Sequence, residues 1–302
     1  MFNFISMNLI YKQMNFKERF LMAAVLLLSF GQVHAQMVIL SGPERGSYHQ
    51  FADEIAALVA DKNGIQLENL TTEGSASNFM GLTNPALNYK MALIQSDYLH
   101  LMDATDKVND TYLTSSLKVV MELAAEQIHL VAKKSSDLTS LQDLDQKIMG
   151  IGSENQGGFA TARRMRVQTQ VEWRNVHVPF EEMLKRLKSG SIDVGLVVGS
   201  APLDMLDIDP EVMVDGMKLL KLEDFNGWAR YYENDTIYSE DYQWLEEDIP
   251  TFGVRTLLVV NEAKLTEEEK ALVDTIKASI IQHIDQLKEK GHPKWSTVNV
   301  PE

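Results

Sequence analysis

The sequence predicts an α/β protein of two lobes, each a mixed, mostly parallel sheet flanked by helices, with a ligand cleft between the lobes. Three observations predict it. Short apolar runs are repeatedly followed by loops rich in Gly, Ser or Asn and then by helical periodicity, the signature of strands alternating with helices. This pattern occurs in two successive blocks with no internal sequence repeat. The chain has 302 residues, 45% hydrophobic and 24% charged, which is enough for two modest domains and too apolar for disorder.

The segment before the first block reads as an address. Lys12, Lys17 and Arg19 precede an apolar stretch at residues 20–30, and Val33-His34-Ala35-Gln36 follows. A positive flank, a short apolar core and small residues form the order of a secretory signal. The apolar core has about 11 residues against the ~20 that span a bilayer. Residues 1–35 are therefore expected to be a signal peptide cleaved after Ala35, which sends the protein to the periplasm. No later run approaches spanning length.

In the first block, a strand at 37–40 leads through Ser41-Gly42-Pro43-Glu44-Arg45-Gly46-Ser47 into a helix at 48–61, where Phe51, Ile55, Leu58 and Val59 recur at helical spacing. A strand at 65–70 leads to Gly74-Ser75-Ala76-Ser77-Asn78, and one at 91–94 to Gln95-Ser96-Asp97, each opening a helix. The second block has a strand at 128–132, a short helix at 138–144, and a strand at 147–151 entering the loop Gly152 to Gly158 and a helix. An amphipathic helix at 181–188 and a buried strand at 192–198, ending at Gly199-Ser200-Ala201-Pro202, complete it. A strand at 251–260 and a helix at 266–288, opened by the capping pair Thr266 and Glu269, close the chain. The expected division is lobe 1 at 36–128 and 225–302, with lobe 2 at 129–224.

Composition excludes several functions. With no cysteine there are no disulfides, thiolate metal sites or cysteine nucleophiles. A net charge of −15, more negative still without the basic first segment, argues against nucleic-acid binding. No H-E-x-x-H, G-x-S-x-G or P-loop pattern occurs, and the acids Asp204, Asp207, Asp209 and Glu211 lack the spacing of a calcium loop. No catalytic residue, cofactor or metal is expected.

What remains is binding. Gly46-Ser47, Gly74-Ser75, Ser96-Asp97, Ser153 and Gly199-Ser200 all sit where a strand turns toward a helix. Glycine admits close approach of a ligand, and hydroxyls and helix N-terminal amides donate to an anion. The same residues also serve as plain helix caps. Tyr48 either closes over a ligand or packs beneath its helix. Arg255, inside an apolar strand, is either structurally paired or held for a ligand carboxylate.

The stretch Ser41-Gly42 to Gly46-Ser47-Tyr48 resembles the opening of the TAXI group of solute-binding proteins, subunits of TRAP transporters. Thr72-Glu73-Gly74-Ser75-Ala76-Ser77-Asn78, followed by Met91-Ala92-Leu93-Ile94-Gln95-Ser96-Asp97, is similar to that group's Thr-x-Gly-Ser-x-x-Asn and Gln-Ser-Asp. The later loop departs from it, with Glu154, Asn155 and Gln156 in a stretch that the group fills with glycine and serine. The resemblance implies a periplasmic binding protein type II fold and delivery of a solute to TRAP-type permease subunits driven by an ion gradient. It implies no enzyme activity. With the candidate arginines Arg45, Arg163 and Arg255 it suggests a small organic anion, a dicarboxylate or an acidic amino acid. Presentation of a ligand to a membrane sensor or receptor is the alternative. The expected ligand-binding residues are Gly46, Ser47, Tyr48, Gly74, Ser75, Asn78, Ser96, Asp97, Ser153, Asn155, Gln156, Gly157, Gly199 and Arg255.

Overall fold

A computed structural model describes residues 37–207 and 216–300. The expected signal peptide and its cleavage point after Ala35, together with Asp209 and Glu211, lie outside the described residues. Among the described residues, ten strands form one mixed sheet, accompanied by seven α-helices. Strands β1 (Met37–Leu40), β2 (Leu67–Leu70) and β3 (Met91–Gln95) pair in parallel in the order β2-β1-β3. Helices α1 (Ser47–Asn63), α2 (Ser75–Thr83) and α3 (Ser96–Asn109) follow these strands in turn. β1 and β3 are apolar almost throughout because parallel strands flanked by helices are covered on both faces.

The second parallel set is β7-β5-β6, built from β5 (Ile148–Ile151), β6 (Arg174–His177) and β7 (Val194–Gly199). Helices α4 (Gly158–Thr169) and α5 (Phe180–Ser189) connect them. Two long strands join the sets: β4 (Leu117–Lys133) pairs with β7, β10 (Ile249–Asn261) pairs with β3, and the two pair antiparallel with each other. Short β8 (Met217–Leu219) and β9 (Glu233–Ile237) flank β4 and β10. The sheets of the two halves are therefore continuous through the β4–β10 pair.

Each half buries apolar residues on both faces of its sheet. Phe51, Ile55, Leu93, Leu258, Ile276 and Trp295 form the core under α1 and α6 (Glu267–Gln282). Leu40, Phe79, Leu82 and Ile94 form the core under α2. In the second half, Leu130, Met149, Met165 and Trp228 lie on one side, and Met183, Leu187, Tyr242 and Trp244 on the other. Trp228, Tyr232 and Tyr242 thus pack with the second half, although they follow residue 225 in sequence.

β6, β8 and β9 were not anticipated in the sequence, and two further elements differ from the sequence reading in length. β4 spans 17 residues where a strand at 128–132 was expected, because Glu122, Glu126 and Gln127 interrupt its apolar run while the backbone continues to pair with β10. The C-terminal helix divides at His283 into α6 and α7 (Ile284–Lys290). There the ring Nδ1 of His283 donates to the Ser279 carbonyl at 3.0 Å, which offers that carbonyl a side-chain partner as the backbone leaves helical geometry. The Thr266–Glu269 capping box is present, and Glu269 also pairs with Lys90.

Candidate functional site

The loop after β1 and the loop after β5 face each other across the sheet, and a cavity of about 100 Å³ lies between them. It is walled from both halves: Gly46, Ser47 and Tyr48 at the start of α1, Gly74 and Ser75 at the start of α2, Gln156, Gly157 and Gly158 at the start of α4. Met183, Leu196, Val198, Leu203 and Met205 supply an apolar lining. Gln95, Glu73 and Glu126 complete the polar part. No lysine, arginine or histidine lines it.

A hydrogen-bonded chain runs along the wall. The amide of Gln95 donates to Ser75 Oγ at 2.9 Å. Tyr48 Oη donates to Glu126 Oε1 at 2.9 Å and lies 3.2 Å from Ser75 Oγ. Since the tyrosine proton is committed to Glu126, the serine hydroxyl donates to the tyrosine oxygen. Thr256 on β10 donates a second bond to Glu126 Oε1 at 2.9 Å. Tyr48 reaches this position because it sits in the first turn of α1, pointing inward from a loop that needs Gly42, where a Cβ would stand 3.0 Å from Tyr48 Cβ.

Burial sets the electrostatics. Glu126 is 2% exposed, and burial raises its carboxyl to about 8 against the lowering effect of the Thr256 and Tyr48 bonds, with the Asp97 charge adding to the rise. Tyr48 is raised well above the usual phenol range by burial and by the neighbouring Glu126 charge.

A second buried carboxyl lies behind the cavity. Asp97 accepts from the Gln95 side-chain amide on Oδ1, and from Thr161 and Tyr232, each at 2.8 Å, on Oδ2. Burial raises its pKa. Gly157 lies between this cluster and the Tyr48 chain: a Cβ there would stand 2.4 Å from Gln95 Oε1 and 3.1 Å from Ser75 Oγ.

The halves also touch at the rim. Asn155 O accepts from the amides of Ala76 and Ser77, both at 3.1 Å, so the opening of α2 is filled by the loop from the other half. Glu73 accepts from Ser153 Oγ and from Asn155 Nδ2. On the far side Arg45 donates to Asp204 O at 2.9 Å and Gln50 to Asp204 Oδ2 at 3.2 Å. Gln156 folds over Gly152, whose absent Cβ would coincide with the glutamine amide.

Of the residues expected to bind a ligand, Gly46, Ser47, Tyr48, Gly74, Ser75, Gln156 and Gly157 line the cavity. Ser153 and Asn155 join the halves at its rim. Asn78 is buried, donating to the carbonyls of Ser41 and Leu93 and accepting from Thr72, which fixes the ends of β1 and β3. Ser96 Oγ accepts the Arg255 amide at 3.1 Å. The Arg255 side chain pairs with Glu233 and donates to Thr297 O at 3.0 Å, and Gly199 packs on Leu203. Arg164 lies over the rings of Tyr231 and Tyr232. Sequence reasoning missed Glu126 and quoted Gln95 only as part of a motif. The one signal for Glu126 is a carboxyl set in the middle of a strand that is otherwise mostly apolar on both sides.

Among the described residues no cluster of His, Asp and Glu has metal-holding geometry, and no helix is long and apolar enough to cross a membrane. Several solved structures share the fold at low identity. The substrate-binding protein of an amino acid ABC transporter aligns with a TM-score of 0.51 and 13% identity over 87% of this chain and 96% of that one. An ancestral arginine-binding protein bound to arginine gives 0.50 and 11% over 87% and 95%. A histidine kinase sensor domain similar to periplasmic binding proteins gives 0.55 and 12% over 89% and 99%. The architecture is thus that of the periplasmic binding proteins, a mixed sheet with flanking helices. Residues 39–292 match the NMT1-like family, and the chain belongs to that family.

Proposed function

We propose that this protein is an extracytoplasmic solute-binding protein that captures a small carboxylate-bearing solute in the cavity between its halves. The observation that carries the reading is a cavity with both polar and apolar lining whose walls come from the helix starts of both halves and whose rim is tied by Glu73, Ser153 and Asn155. Such a site opens and closes by hinge motion, and the solute's preference for the closed state drives closure. The proposed lobes are 36–128 with 225–302, and 129–224, with Trp228, Tyr232 and Tyr242 of the returning segment packed onto the second lobe and β4 and β10 crossing between the two. The first turns of α1 and α4 line the cavity, and helix N-terminal amides favour a carboxylate there. The volume, about 100 Å³, is well below the roughly 300–1,000 Å³ of sites for drug-sized ligands and suits a compact solute such as a small dicarboxylate or acidic amino acid.

The segment at 1–35 directs export to the periplasm. The motifs around Ser75 and Gln95 support delivery to a TRAP-type permease powered by an ion gradient. Turnover of the solute is not part of the function. Thermal unfolding of the purified protein against small carboxylates and amino acids tests the reading. A ligand at ~100 times its dissociation constant adds about 2.7 kcal/mol of stability, a readily measured rise in the unfolding midpoint. No shift with any compound of the panel, from protein that has been unfolded and refolded free of ligand, would overturn it.

A further inference from the structure

Glu126 is the one carboxyl in the cavity wall that is almost wholly buried and only half used. Its Oε1 accepts from both Tyr48 and Thr256, which fills that oxygen, while Oε2 has no hydrogen-bond partner among the described residues and Glu126 lines the cavity. Every element packed around it is accounted for in charge. Tyr48 from α1, Ser75 from α2 and Thr256 from β10 are neutral, the Gln127 side chain on β4 is engaged with Asp235, and the Arg255 guanidinium is turned to Glu233. The remaining charged groups nearby, Asp97 and Glu73, are acidic. A solute carrying two carboxylates would find no cation in this cavity, only two helix starts. A solute carrying one carboxylate and one ammonium finds a partner for each.

We propose that Glu126 is the specificity-determining residue of the cavity and that its Oε2 accepts a hydrogen bond from a protonated primary amine of the solute. The inference rests on the solute-binding reading and narrows its ligand class to small amino acids. It also fixes a proton balance. In the ligand-free protein the carboxyl, raised by burial to about 8, is mostly neutral at pH 7 and holds its proton on Oε2, the oxygen without other partners. When the ammonium docks, that proton passes to bulk water and the carboxylate pairs with the ammonium. Binding therefore releases about one proton at pH 7 and tightens as pH rises from 6 to 8.

The test pairs each of the standard L-amino acids with its amine-free counterpart, for example alanine with propionate and glutamate with glutarate. Thermal unfolding of the purified protein at pH 7 is followed by calorimetry of any hit in two buffers of different ionisation enthalpy. The expected result is stabilisation by amino acids alone, with about one proton released. Glu126→Gln, which keeps an acceptor for Tyr48 and Thr256, should weaken binding by about 10- to 100-fold and abolish the proton release. Equal stabilisation by amine-free carboxylates, or a hit that releases no proton from the wild-type protein, overturns the inference and leaves the solute-binding reading standing. Silence from both members of every pair, after refolding free of ligand, overturns both. The proton count needs no variant, so a Glu126→Gln protein that failed to fold would not shelter the claim.

Discussion

Asp97 and Glu126 are both acidic side chains buried to 3% and 2% exposure within one network, and they differ in how their oxygens are used. Asp97 has both oxygens taken, by Gln95, Thr161 and Tyr232, and these donors come from both halves of the molecule. Glu126, which lines the cavity, has one oxygen taken twice and the other without a hydrogen-bond partner among the described residues. Burial raises the pKa of each, so the shift alone does not separate them. Satisfaction does. A fully partnered buried carboxyl is a fastening, because its donors would be stranded without it, whereas a half-partnered one is costly to keep unless something else completes it. The polar cluster behind the cavity is therefore structure, and the one in its wall is where we propose the solute binds.

Four substitutions break or sharpen this contrast, in falling order of effect. Asp97→Ala strands an amide and two hydroxyls in the interior and should cost about 3–5 kcal/mol in urea unfolding. A loss below about 1 kcal/mol would remove Asp97 from its fastening role. Glu126→Gln should act in the opposite direction in the ligand-free protein. The folded carboxyl titrates near 8, above its ordinary value of 4.5, so its contribution is fully present below 4.5 and lost as pH rises to about 8. The variant, which keeps no proton to lose, should exceed the wild type by about 2–4 kcal/mol at pH 9 and match it near pH 4. Gly157→Ala intrudes on both clusters at once, through Gln95 and Ser75, and should cost about 1–3 kcal/mol as well as weakening the binding of any solute found by thermal unfolding. Arg255→Met removes an ion pair with a largely exposed partner, Glu233. It should cost about 1 kcal/mol or less and leave solute affinity unchanged, since Arg255 does not line the cavity and its guanidinium is engaged by Glu233 and Thr297 O.

The fold was legible where the chain punctuates itself. Five of the six strands of the parallel sets end in a Gly-, Ser- or Asn-bearing loop, β6 alone running through Val178-Pro179 into its helix, and the capping pair at Thr266 marks its helix directly. The long central strands were not, because a strand covered by neighbours on both edges tolerates charged residues that spoil an apolar run, as Lys118, Glu122 and Glu126 do in β4. The site was half legible for the same reason that caps and ligand loops share residues. Ser47, Ser75 and Gly157 reach the cavity, while Asn78, equally conspicuous in sequence, spends its amide on the carbonyls of β1 and β3. Arg255 attracted attention as a charge in an apolar strand, yet its partner Glu233 lies 22 residues away on β9, a pairing that only the β9–β10 register creates. Glu126 was missed because its one signal, a carboxyl within a mostly apolar strand, does not distinguish a group that lines a cavity from one paired inside the fold.

The most direct test of the account is a carbon-13 NMR titration of the Glu126 carboxyl, assigned by its loss in Glu126→Gln. The account predicts a midpoint near 8 in the ligand-free protein and a clear fall when an amino acid that raises the unfolding temperature is bound. A midpoint near the ordinary 4.5, unmoved by such a ligand, would contradict it.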